Sequence, residues 1–113
     1  KLTKKQLKAF EARIKTKSEV FYFNISEIVY CQSDVNYTMI FFKDHKPLLV
    51  AKTLKYYEDL LKEHDFGRIH QSYLVNRQYA KGIKNDHLLL STGESLAISK
   101  KRKALVARWM TTV

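Results

Sequence analysis

The side chains best suited to chemistry lie close together in one short stretch, residues 66–76. This stretch carries Arg68, His70, Gln71 and Ser72 among several large apolar side chains. Because its polar and apolar residues do not alternate as in an ordinary strand, it could bury the apolar side chains and present the polar ones to a ligand. On spacing alone, the simpler interpretation is a connector whose polar side chains satisfy its own irregular backbone.

Catalytic chemistry has little support in the sequence. His70 and Ser72 lie two positions apart, but no acid is placed to complete a triad, so a hydrolase is only a minor hypothesis. No glycine-rich loop is present to bind a nucleotide. The single cysteine, Cys31, excludes an internal disulfide and a cysteine-rich zinc site. The four histidines lack the spacing of metal ligands: His45, His64, His70 and His87. We therefore predict a protein that is not an enzyme and has no cofactor or metal.

The net charge of +10 is distributed unevenly along the chain. Residues 1–18 hold seven Lys or Arg against one Glu, and residues 67–113 hold nine against two acids. The middle, residues 19–66, is mildly acidic, with five basic residues against eight acidic ones. This asymmetry indicates a polyanionic partner. A solvated surface joined to a basic linker is the alternative that charge alone leaves open.

The length of 113 residues, with 45% hydrophobic and 12% aromatic residues, predicts one domain with a substantial core. We expect residues 1–13 to be a basic linker from a missing upstream domain and residues 14–113 to be the domain itself. The chain begins with Lys1, which suggests a piece of a larger protein. No apolar run reaches membrane-spanning length and no secretion signal opens the chain, so we expect a cytoplasmic protein without membrane contact.

Hydrophobic alternation and turn residues predict a mainly β fold, made of small antiparallel sheets with one or two short α-helices. Thr53 is predicted to be the N-cap of a helix that ends near His64, and Ser99 the N-cap of a terminal helix. Strands are predicted around residues 19–23, 28–32, 37–42, 48–51, 81–84, 88–90 and 96–98.

Four stretches of the chain occur in an order that is typical of one family. The most specific is Phe66-x-Arg68-Ile69-His70-x-Ser72-Tyr73-Leu74-Val75-Asn76. Residues 28–38, 53–61 and 93–101 match the family's strand–loop–strand entry, its helix and its exit. Together these stretches resemble the LytTR DNA-binding domain, the output half of many bacterial response regulators. The similarity runs from about Ile14 to Leu105.

The resemblance implies sequence-specific binding of duplex DNA for transcriptional regulation, as the output domain of a two-component response regulator. In that family an upstream receiver domain is phosphorylated and promotes dimerisation on repeated promoter sites. We accordingly expect a dimer on DNA and a monomer when this domain is alone in solution. The alternative hypothesis is a basic β module that binds RNA or a protein partner. It is weakened because RNA readers display stacking aromatics, whereas most aromatics here alternate inward.

The resemblance also suggests roles for individual residues. Tyr37, Gln71 and Lys100 match positions on loops that enter the DNA major groove, so they are the candidate base contacts. For Asn36, His70 and Asn76 we expect structural roles instead, in bonding the backbone around loops. The candidate phosphate contacts are Arg68, Ser72, Arg77, Lys101 and Arg102.

Three positions depart from the family pattern. The family often has a basic residue where Gln71 stands, Arg where Lys100 stands, and a larger residue where Gly67 stands. These differences leave the predicted fold intact. They leave the identity of the target bases open.

The predicted terminal helix contains a local electrostatic conflict. Lys100, Lys101, Arg102 and Lys103 fill its first turn, where cations oppose the helix dipole at about 0.3–1 kcal/mol each. The same position suits an anion such as a phosphate. Screening by water and salt could also make the run tolerable. We favour phosphate contact because the resemblance supports it.

Overall fold

The structure is a computed structural model that describes residues 11–111. This part of the chain forms strands in small antiparallel sheets and two short helices, which confirms the predicted fold class. In chain order the strands are β1 (Glu11–Lys15), β2 (Val20–Asn24), β3 (Ile28–Asp34), β4 (Tyr37–Phe42), β5 (Leu48–Val50), β6 (Phe66–His70), β7 (Tyr73–Asn76), β8 (Ala80–Lys84), β9 (His87–Leu90) and β10 (Ser95–Ala97), and the helices are α1 (Leu54–Leu61) and α2 (Lys103–Thr111).

A five-stranded sheet in the order β5-β4-β3-β7-β6 is the centre of the fold. Its middle strand, β3, buries the four consecutive residues Ile28, Val29, Tyr30 and Cys31. Successive side chains of a strand point to opposite faces, so such a run requires cover on both sides. The sheet therefore separates two apolar cores.

The first core lies between the central sheet, the β1–β2 hairpin and α1. Ile14 of β1, Ile40 of β4 and Leu61 of α1 are fully buried in it. The second core lies on the other face, under the three-stranded sheet β10-β9-β8 and α2. Leu88 of β9 and Val106 of α2 are buried there.

Helix α1 begins where the sequence predicts. Thr53 accepts a hydrogen bond on its hydroxyl from the Tyr56 N–H at 3.2 Å, as an N-cap should. The helix ends at Leu61, and a 3-10 turn at Lys62–His64 replaces the predicted last turn. Asp65 then adopts a left-handed backbone with φ of 63°, which redirects the chain into β6.

Helix α2 packs against β6 through Trp109, which lies directly on the backbone of Gly67. A Cβ atom at position 67 would be 2.7 Å from the Trp109 Cε2 atom. The glycine is therefore required by the close approach of the indole, which explains why a larger residue is absent there. Trp109 Nε1 also donates a hydrogen bond to Asp65 Oδ1 at 3.0 Å, so the end of α2 is held to the start of β6.

Two element boundaries differ from the sequence predictions. Strand β1 starts at Glu11, so residues 11–13, which we expected in the linker, pair with β2. Ala12 is buried in the first core, which gives this segment a reason to be ordered; residues 1–10 of the expected linker lie outside the described residues. Strand β3 continues to Asp34, because Ser33 and Asp34 pair with the first residues of β4 rather than forming a loop.

Candidate nucleic-acid interface

Two turns lie side by side at one end of the central sheet. The β6–β7 turn is formed by Gln71 and Ser72, and the β3–β4 turn by Val35 and Asn36. The N–H of Ser33, near the end of β3, donates to the Ser72 carbonyl at 3.0 Å, which fixes the two turns next to each other. Tyr37, which pairs with Asp34 directly below the β3–β4 turn, is 47% exposed, and Gln71 is exposed as well.

A third segment reaches the same end of the sheet from the terminal helix. The Ser99 N–H donates to the carbonyl of Ile69, near the end of β6, at 3.0 Å. Lys100 follows immediately and is exposed. The structure therefore brings the three candidate base contacts, from three separate segments, to one end of the central sheet. We call this the open end, defined by residues 35–37, 71–72 and 100.

The turn that carries Gln71 is braced by Arg68. Its guanidinium forms an ion pair with Glu58 of α1, with 2.9 Å between Arg68 Nη1 and Glu58 Oε1. It also donates from Nε to the His70 carbonyl at 3.0 Å and from Nη2 to the Gln71 carbonyl. The Arg68 side chain is only 16% exposed, so the phosphate contact predicted for it would compete with three internal contacts.

His70 also braces this turn. Its Nδ1 accepts a hydrogen bond from the Ser72 N–H at 3.0 Å, so here the imidazole nitrogen acts as an acceptor. This is the structural role that the sequence predicted for His70. Gln71 thus projects from a two-residue turn whose backbone is bonded by two side chains, Arg68 and His70, while Glu58 holds the Arg68 guanidinium in place.

Arg77, another predicted phosphate contact, lies at the other end of the central sheet. Phe66 pairs with Asn76 at that end, so the residues beside them, Asp65 and Arg77, are a strand's length from Gln71. Arg77 Nε forms an ion pair with Asp65 Oδ2, and the Arg77 N–H donates to the Asp65 carbonyl at 3.0 Å. The structure does not bring Arg77 together with the other candidates.

Asn76 lies at this second end and confirms its predicted structural role. It is 4% exposed, its Nδ2 donates to the Ile28 carbonyl at 2.9 Å, and its Oδ1 accepts from the Gln78 N–H at 3.0 Å. We call this end the closed end, defined by Asp65, Asn76, Arg77 and Trp109, because the polar groups of these four residues bond one another or the local backbone.

The basic run before α2 differs in detail from the prediction. Lys100–Arg102 form a 3-10 turn, and α2 itself starts at Lys103. Ser99 has the extended backbone of an N-cap, but its side chain makes no capping hydrogen bond. Lys101 is exposed and Arg102 is half-buried, whereas Lys103 pairs with Asp86 of the β8–β9 turn at 3.0 Å. Lys100 and Lys101 are therefore the cations most available to an external anion.

Glu58 is a positioning residue that the sequence did not predict. Its spacing to Lys62 suits an ion pair within a helix, but its carboxylate instead contacts Arg68 on the neighbouring strand. No local pattern could have indicated this pair, because it depends on how α1 packs against β6.

Other chemistry finds no support within residues 11–111. Burial raises the pKa of the Cys31 thiol to about 12, so this thiol stays protonated and unreactive at neutral pH. In the same residues, no group of three or more His, Cys, Asp or Glu side chains is placed to bind a metal ion. Neither described helix is long and apolar enough to cross a membrane.

Comparisons with known proteins agree with this fold. The family model of the LytTr DNA-binding domain matches residues 18–111. Among solved structures, the fold is similar to a LytTr DNA-binding domain from a protein of Bacillus cereus that is described as a methyl-accepting/DNA response regulator, with a TM-score of 0.77. The identity is 20%, and the match covers 90% of this chain and 97% of the other, so the likeness is one of fold. A search of curated proteins finds no match.

Proposed function

Because the chain belongs to the LytTR family of DNA-binding domains, we propose that it binds specific duplex DNA sequences to regulate transcription. The observation that carries this proposal is the open end, where Tyr37, Gln71 and Lys100 are exposed on three adjacent segments. Turns on a rigid sheet can enter the major groove, where each base pair presents a distinct pattern of donors and acceptors.

Each candidate base contact has a chemistry that suits this task. The Gln71 amide can bond adenine at two atoms, and the Lys100 ammonium can donate to the acceptors of guanine. The Tyr37 hydroxyl can donate or accept, so it tolerates more than one base. Since the turn that carries Gln71 is already braced by Arg68 and His70, little additional ordering is required on binding, which favours specificity.

The remaining candidates divide into phosphate contacts and positioning residues. Ser72, Lys101 and Arg102 border the open end, so in this proposal they bind phosphate oxygens. Arg68 acts through the turn, because its guanidinium is bonded to Glu58 and to the backbone of the turn. Arg77 has no direct part, since it lies at the closed end and pairs with Asp65.

The proposal extends to the protein in which this domain works. An upstream receiver domain, phosphorylated by a sensor kinase in a bacterial cytoplasm, would control the binding. Phosphorylation would then favour pairing of two copies on repeated promoter sites. The family membership supports this arrangement, which is the usual context of LytTR output domains.

The experiment that tests the proposal is selection of bound duplexes from a random library. The selected duplex, a scrambled duplex and single-stranded RNA of the same sequence are then titrated with the protein. We expect the selected duplex to bind tightest. Equal affinity for the selected and scrambled duplexes would contradict sequence-specific binding, and tighter binding of RNA would favour the alternative RNA-binding module.

A further inference from the structure

A groove beside Tyr37 is lined mainly by residues to which the proposed function gives no role. It encloses about 690 Å³ between the β1–β2 turn and the end of β5. In the β4–β5 pair, Thr38 lies opposite Val50, so the next residues outward, Tyr37 and Ala51, also lie opposite each other. Successive side chains of a strand alternate between the two faces, so Leu49 shares a face of the sheet with Tyr37 and Ala51. The rest of the lining is Lys15, Thr16, Lys17 and Lys52.

The groove is strongly cationic. Lys15, Lys17 and Lys52 are exposed, and none of the described residues that line it is acidic. None of these lysines takes part in the ion pairs found within residues 11–111, which involve Lys55, Lys103 and two arginines. Lys52 Nζ lies 5.0 Å from the centre of the Tyr56 ring, a contact that leaves its charge available.

The groove and the basic run before α2 flank the open end on opposite sides. β5 and β6 are the two edges of the five-stranded sheet; the groove adjoins β5, and Lys100 adjoins β6 through Ser99. Four strand spacings separate these edges, which amounts to about 19 Å. That distance is sufficient to straddle a major groove about 12 Å wide.

We infer that this groove binds the DNA phosphate backbone along one edge of the major groove, while Lys101 lies near the backbone along the opposite edge. The inference rests on the proposed function and adds a second set of phosphate contacts to it. The continuity with Tyr37 is the reason to favour DNA over an acidic protein, because a strand that passes Tyr37 must run past the three lysines. Leu49 is 44% exposed, so it offers an apolar floor for the sugar.

The test is the salt dependence of DNA affinity in a triple variant, Lys15→Gln, Lys17→Gln and Lys52→Gln. Each lost phosphate contact makes the slope of log affinity against log salt shallower by about 0.9. We therefore expect the slope to become shallower by about 2–3, with an equal loss of affinity for the selected and scrambled duplexes. Fluorescence anisotropy at several salt concentrations measures both quantities.

The matched control is the triple variant Lys43→Gln, Lys46→Gln and Lys62→Gln. It removes the same charge from exposed positions at the other end of the sheet, so its slope should stay near that of the wild type. Equal slopes for the two triple variants would overturn the inference, because charge alone and not the groove would then explain the loss. An unchanged slope in the groove variant would overturn it too.

Two further measurements keep the outcomes separate. A circular dichroism melt shows whether the groove variant folds, and if it does not, Lys17→Gln alone should still make the slope shallower by about 0.9. If the wild type binds the selected duplex preferentially while the groove variants keep its slope, the groove assignment fails and the proposed function stands. If the wild type shows no preference among duplexes, the proposed function itself fails.

Discussion

The two ends of the central sheet carry similar basic and amide side chains, but these side chains are bonded within the protein at one end and exposed at the other. At the closed end, Arg77 and Trp109 both bond the Asp65 carboxylate, and Asn76 is buried with both amide atoms bonded. At the open end, Gln71 and Lys100 are exposed on short turns. The difference teaches that a basic or amide side chain is available to an external ligand only where the fold does not already bond it. Residue type and position in the sequence do not reveal this.

The largest effect is expected from Asn76→Ala at the closed end. This change leaves the Ile28 carbonyl and the Gln78 N–H without their partner in a buried site, so we expect a loss of about 2–4 kcal/mol in the free energy of unfolding. Urea denaturation measures it. Gln78→Ala, at an exposed neighbour, is the control and should change stability by less than about 0.5 kcal/mol. Similar stability of the two variants would mean that the closed end is not held by these bonds.

For Gln71→Ala at the open end, we expect a loss of DNA affinity without a loss of stability. Removing the amide should weaken binding of the selected duplex by about 1–3 kcal/mol and relax preference at one base pair. The free energy of unfolding should stay within about 0.5 kcal/mol, because the side chain is exposed. Titration of duplexes that vary at single positions measures the preference. If that preference survives unchanged, Gln71 is not a base contact.

Lys101→Ala and Arg77→Ala compare the two ends directly. Lys101 lies exposed beside the open end, so its loss should weaken binding to all duplexes and make the salt slope shallower by about 0.9. Arg77→Ala should leave the salt slope unchanged and lower the melting temperature instead, since it removes the ion pair with Asp65. A reversal of the two results would place the phosphate contacts at the closed end.

The smallest effect concerns backbone strain. Val35, at the open end, has φ of 58° although it is β-branched, and this left-handed conformation costs about 1–2 kcal/mol. Val35→Asn should therefore raise the free energy of unfolding by about 1 kcal/mol, because Asn tolerates this region. The reverse change, Asn85→Val in the β8–β9 turn, where φ is 52°, should lower it by a similar amount. Thermal melts of both variants check the sign.

The sequence predicts much of the fold because its signals are local. The strand at residues 37–42 and the capping residue Thr53 are both predicted from signals in neighbouring residues. The structure accordingly reproduces these elements within a few residues. The expected roles of Gln71 and Lys100 came from a resemblance, and the structure places both of them at the open end.

The rest depends on packing between distant segments. Glu58 pairs with Arg68 only because α1 crosses β6, and Arg77 meets Asp65 only because β7 runs back along β6. The lysines of the groove come from two segments that the sequence separates widely, Lys15 and Lys17 on one side and Lys52 on the other. Charge counts along the chain place Lys52 in an acidic region, so they conceal this basic surface.

The contact of Trp109 with Gly67 fixes one end of α2 against the backbone of β6, so the orientation of this helix depends on that contact. The first residue of α2, Lys103, lies six residues before Trp109, about 9 Å along the helix, and the cations Lys100 and Lys101 come just before it in the 3-10 turn. A methyl group added by Gly67→Ala would push against the indole and change the tilt of α2 relative to β6. We expect this variant to lose DNA affinity although position 67 is remote from the duplex. Full affinity in a gel-shift titration would show that the indole moves locally and that the orientation of α2 does not change.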